Sequence, residues 1–152
     1  MTEAGSGSIS IHVNVPSASE GQDEVPDSLI REGVVLALQD EGVEEGELSL
    51  TFVDDATIQE LNRTHLGHDR PTDVLAFALH AEGDPPLGDI YIGLEQAHRQ
   101  AEERGLSPGE ELLRLAIHGT LHVLGYDHPE GEGREESTLF RRQESLISRI
   151  LR

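Results

Sequence analysis

Residues Ala116–His128 read AIHGTLHVLGYDH and form the end of the longest apolar run in the chain. Traced backwards, the run starts after Ser107-Pro108, a good N-cap followed by a first-turn residue. The pattern predicts a helix over Gly109–Leu124. Gly125 should end it, because glycine takes the left-handed backbone a helix terminus needs.

Working outward from this helix, the sequence gives alternating strands and helices. Ser8–Val15 (SISIHVNV) alternates apolar and polar residues as a half-buried strand does, and Leu48–Val53 (LSLTFV) repeats the pattern. Pro26–Asp40 carries a helical stripe of Leu29, Ile30, Val34, Leu36, Ala37 and Leu38 that ends near Gly42. Asp54 or Asp55 can cap a helix over Ala56–His65. A loop, Leu66–Pro71, leads to strand Asp73–Leu79, a turn at Glu82–Pro86 and strand Gly88–Ile92. A short helix, Leu94–Arg104, stops at Gly105, and after the loop Tyr126–Gly133 a last amphipathic helix runs from about Arg134 to Leu151. The order β-α-β-α-β-β-α-α-α predicts an α+β fold: one domain over residues 8–152, with a four-stranded mixed sheet packed against about five helices and a flexible lead-in at 1–7.

Composition narrows the function classes. With 152 residues and 36% hydrophobic content the chain can bury a core of its own. No run approaches the roughly 20 apolar residues of a membrane span, and no basic-apolar leader precedes Ser8, so a cytoplasmic location without membrane association is the expectation. The absence of cysteine excludes disulfides and thiolate ligands. The net charge is −19, with eleven Arg and no Lys. Residues 1–60 hold fourteen acids and one Arg, whereas ten Arg fall after residue 60. Such a surface repels polyanions at low salt, so composition argues against a DNA or RNA partner. High salt would shorten the repulsion.

The chemistry concentrates in the histidines. His118 and His122 lie four apart and project from one helix face. Gly125 lets the chain reverse, so that His128 can swing back toward them. Three imidazoles suit one zinc ion and leave its fourth position open, as in catalytic rather than structural sites; nickel, copper or iron would also accept them. The plain alternative is two helix histidines satisfied by the core and one exposed loop histidine. The spacing matches H-E-x-x-H-x-x-G-x-x-H except that Gly119 stands where the general-base Glu belongs, which excludes a peptidase of that class. The missing side chain of Gly119 is expected to leave room above the metal for a large substrate. Asp127 is a candidate base or ligand orienter, or a loop cap, and Tyr126 either packs or touches substrate.

His118-Gly-Thr-Leu-His122-Val-Leu-Gly-Tyr-Asp-His128 closely resembles the signature H-G-x-L-H-x-x-G-Y-D-H of the YbeY endoribonucleases, the bacterial rRNA maturation factors. Leu61-Asn62 through Pro71-Thr72-Asp73-Val74-Leu75-Ala76-Phe77 looks like the family's L-N-x-x-[YF]-R-x-x-D-x-P-T-[DN]-V-L-S-F block, and Gly88-Asp89-Ile90-Tyr91-Ile92 like its G-D-I-x-I strand. The similarity spans about Leu48 to Leu151. It implies a metal-dependent, single-strand-specific endoribonuclease that acts in 16S rRNA 3′-end maturation and ribosome quality control, with single-stranded rRNA as substrate and ribosomal small-subunit proteins as candidate partners. His118, His122 and His128 would hold one zinc per chain. The family's usual arginine in the Leu61–Phe77 block falls at Leu66 here; Arg63 and Arg70 flank that position and are the candidates to replace it.

On this reading the metal activates water for attack on a phosphodiester, or steadies the phosphate while the RNA's own 2′-hydroxyl attacks. Arg63, Arg70 or Arg141 would hold phosphoryl oxygens, since guanidinium suits bidentate phosphate contact. Asp89, at a strand start, is a weaker candidate, as a base or a partner to a ligand; capping the turn is its plainer reading. The residues alone stop at a zinc hydrolase, so hydrolysis of a non-RNA substrate and a non-enzymatic assembly factor with structural zinc stay open.

Overall fold

The computed structural model describes residues 8–16, 25–126 and 138–151. The lead-in expected at 1–7, the loops at 17–24 and 127–133 and the start of the last helix at 134–137 lie outside the described residues, as do Asp127 and His128. Nine elements follow in the predicted order: β1 (Ile9–Asn14), α1 (Asp27–Asp40), β2 (Gly46–Val53), α2 (Asp55–Leu66), β3 (Val74–Ala78), β4 (Leu87–Gly93), α3 (Leu94–Arg104), α4 (Pro108–Val123) and α5 (Thr138–Leu151).

The strands make one mixed sheet in the order β1-β2-β4-β3. β1, β2 and β4 run parallel, and β3 pairs antiparallel with β4 as the hairpin turn dictates. Parallel neighbours need a crossover, and α1 supplies it between β1 and β2. The period-two pattern puts Leu48, Leu50 and Phe52 of β2 and Ile90 and Ile92 of β4 in the core, each at 1% exposure or less. Opposite them lies α4, which packs against α1, α3, α5, β3 and β4. Its Leu112, Leu113, Ala116, Ile117 and Leu121 are fully buried, and each large side chain so placed contributes about 1.5–3 kcal/mol. Ser107 starts α4 as expected, its Oγ accepting from Glu110 N at 3.1 Å.

Gly119 requires a correction. It faces the sheet, not open space: a β-carbon there would stand 2.7 Å from Ile90 Cγ2 and 3.4 Å from Val74 Cγ2. Its missing side chain lets the helix approach β4, and it leaves no room above a metal. Gly125 behaves as expected, with φ +104° just beyond α4.

Candidate metal centre

The cleft-facing flank of α4 carries its chemistry. Glu111, Arg114, His118 and His122 recur at helical spacing on one stripe, and all four line a cleft of about 570 Å³. The other walls come from β3 and the segment before it (Pro71–Ala76), from Gln96, Gln100 and Arg104 of α3, and from Leu139, Phe140 and Gln143 of α5; Leu66 at the end of α2 sits at the rim. The His118 and His122 rings lie 4.8 Å apart between centroids, at 66° to one another.

Around these histidines is a polar support that the sequence did not reveal. His118 Nδ1 is 2.8 Å from Gln143 Oε1, and Gln143 is only 6% exposed. The Gln143 amide donates to Glu144 Oε2 at 2.9 Å. Glu144 in turn receives both arms of Arg114, Nε at 2.9 Å and NH2 at 2.6 Å, while Arg114 NH1 reaches Glu110 at 3.0 Å. Burial pushes the Glu144 carboxyl up, but the hydrogen bonds from Arg114 and Gln143 outweigh it and hold it below the ordinary carboxylate range. The same hydrogen bonds, donated by Arg114 to Glu144, raise Arg114 above its usual value. Glu111 is the opposite case: it is 1% exposed, and burial pushes it up despite Arg104 at 3.4 Å. No motif flags Gln143, Arg114 or Arg104, because their pairing joins residues up to 30 positions apart.

The donor chemistry fits a borderline divalent cation. Two imidazoles stand on consecutive helical turns, and one of them has its second ring nitrogen on an amide oxygen, as metal-ligating histidines commonly do. Among the described residues no three His, Cys, Asp or Glu side chains gather at one point, and the third expected ligand, His128, lies outside them.

The other expected residues are dispersed. Arg63, on α2, is paired with Glu60 and exposed. Arg70 is exposed too; its carbonyl accepts from the buried Asn62 amide at 2.9 Å, which fixes the loop ahead of Pro71. Neither is among the residues lining the cleft, whose arginines are Arg104 and Arg114. Arg141 is exposed on α5. Asp89 lies on β4 beside Ile90 and points to the opposite sheet face, away from α4, which removes it as a candidate base. Tyr126 packs: its hydroxyl donates to Glu41 Oε2 at 2.8 Å.

Comparison with known proteins settles the lineage of this cleft. The sequence model of the Endoribonuclease YbeY family matches residues 17–151. The chain belongs to the YbeY endoribonuclease family. Endoribonuclease YbeY of Desulfitobacterium hafniense is 44% identical over 149 residues, covering 85% of this chain and 92% of that protein. Its counterpart in Pelotomaculum thermopropionicum is 47% identical over 134 residues, covering 82% and 86%. The solution structure of TM1509 from Thermotoga maritima superposes with a TM-score of 0.61 at 28% identity, covering 91% of this chain and 88% of that one. The matched residues include the α4 histidines and the β3–β4 hairpin.

Proposed function

We propose that this chain cleaves single-stranded rRNA in the cleft between β3 and α4, with one zinc ion held by His118, His122 and His128. Membership of the YbeY family makes it an endoribonuclease of rRNA maturation; the metal, its ligands and the RNA contacts are the finer reading. The observation that carries this reading is the His118–His122 pair on the cleft floor, one ring nitrogen already engaged by Gln143. When bound, zinc supplies a Lewis acid for phosphodiester chemistry.

The chain's own residues account for the rest. Leu66, Leu139 and Phe140 add apolar surface to an otherwise polar cleft lining. Arg104, with its side chain about half exposed, can turn from Glu111 to a phosphate. Arg63 and Arg70 are proposed to grip the strand outside the cleft, from the arm that carries Leu66 and Pro71 at its rim. Small-subunit proteins of the ribosome are the proposed partners, residues 8–152 the proposed domain and the cytoplasm the proposed location; among the described residues no helix is long and apolar enough to cross a membrane.

The test is incubation of zinc-loaded protein with structured and unstructured rRNA fragments at several salt concentrations, beside the His122→Ala variant. Cleavage of the unstructured fragments by wild type alone is expected. Identical products from both proteins would refute the reading.

A further inference from the structure

We infer that Gln143 is a positioning residue: it fixes the tautomer and orientation of His118 and presents Nε2 to the metal. The inference rests on the zinc reading above and adds a residue that no motif contains.

The argument is one of hydrogen-bond polarity. Arg114 can only donate, so both of its arms fix Glu144 as an acceptor. An ionised Glu144 can only accept, so the nearer atom of Gln143 must be its NH2 group, at 2.9 Å. That turns the amide oxygen of Gln143 toward His118, and a carbonyl oxygen can only accept. His118 must therefore carry its proton on Nδ1, at 2.8 Å, and its lone pair on Nε2. Four side chains on two helices thus form one hydrogen-bonded chain in which His118 donates to Gln143 while Gln143 and Arg114 both donate to Glu144, and the far end is a metal-ready nitrogen. Free histidine prefers the other tautomer, so this arrangement works against an intrinsic bias. Glu110 anchors its near end, holding Arg114 NH1 at 3.0 Å. Outer partners of this kind typically change metal affinity by about 10- to 100-fold when removed.

Two measurements test it. Long-range proton–nitrogen NMR on metal-free wild type reads the His118 tautomer directly and needs no variant. The proton is expected on Nδ1; a proton mainly on Nε2 overturns the inference. Chelator competition then reads zinc affinity. Gln143→Met, which keeps the length but removes the acceptor, should weaken zinc roughly 10- to 100-fold with its circular dichroism unchanged. The exchanged pair Gln143→Glu with Glu144→Gln keeps the net charge and an acceptor facing His118 but gives up one of the two Arg114 bonds, and should recover part of the affinity lost in Gln143→Met, to within about tenfold of wild type. Affinity unchanged in Gln143→Met, or unrecovered in the exchanged pair, overturns the positioning role. Wild type that binds no zinc refutes the metal reading itself, and the tautomer measurement then still decides the orientation alone.

Discussion

Helix α4 has two faces that solve different problems. The face toward the sheet is built from Leu112, Ala116, Gly119 and Val123, buried and chosen by volume. The face toward the cleft is built from Glu111, Arg114, His118 and His122, where charge and hydrogen-bond direction matter more than size. On the first face a substitution is felt through packing, so it moves stability. On the second it is felt through unpaired donors and acceptors, so it moves chemistry and pH response as well as stability. The helix joins them rigidly, and the close fit at Gly119 therefore sets where the histidines stand.

The largest separation of the two faces is expected from His122→Ala. It should lower RNA cleavage on the order of a thousandfold, the loss of several kcal/mol of metal-derived stabilisation, while the melting temperature of metal-free protein stays within about 3 °C of wild type. Parallel loss of fold and activity would break the distinction. Arg114→Leu comes next. It strips Glu144 and Glu110 of a partner that is 15% exposed, and should cost about 2–3 kcal/mol in a urea titration. Gly119→Ala probes the opposite face: the added methyl meets Ile90 at 2.7 Å. Overpacking of about 1–3 kcal/mol outweighs the roughly 1 kcal/mol gain in helix propensity, so a net loss is expected that Ile90→Ala beside it partly relieves.

Smaller effects should appear in pH titrations. Glu144, held below the ordinary range, contributes stability that is present above the unfolded carboxylate value and lost as pH falls through its depressed one. The stability gap between wild type and Glu144→Gln should therefore be widest near neutrality and close on acidification. Glu111, raised by burial, runs the other way. Its contribution is intact below the unfolded value and lost as pH rises through its raised one, so Glu111→Gln should gain on wild type between acid and neutral pH. Smallest of all, Arg63→Ala and Arg70→Ala should leave melting unchanged, both side chains being exposed. On the proposed role as strand contacts outside the cleft, each should raise KM about two- to threefold without altering kcat.

The sheet-facing side of the molecule was legible because burial leaves a period in the sequence. Strands alternate at Leu48, Leu50 and Phe52, α3 ends at Gly105 as expected, and caps at Asp54 and Ser107 mark their helices. Boundaries slipped by a residue or two where only hydrogen bonding sets them, as at β2, which begins at Gly46 and not Leu48. The histidine pair was legible because both members sit on one helix. The polar network was not, since Gln143 and Glu144 meet His118 and Arg114 only after α5 docks on α4. Gly119 was misread for a related reason. A glycine beside a cleft-facing histidine looks like space for substrate until the position of Ile90 is known.

The central claim, that imidazoles of this chain hold one catalytic metal, is tested most directly by metal content. Wild type, His118→Ala, His122→Ala and His128→Ala would be loaded with zinc, dialysed to equilibrium against the same weak chelator and assayed for bound metal per chain. One equivalent in wild type and essentially none in each variant is the predicted result. Retention of a full equivalent by any of the three variants would contradict it.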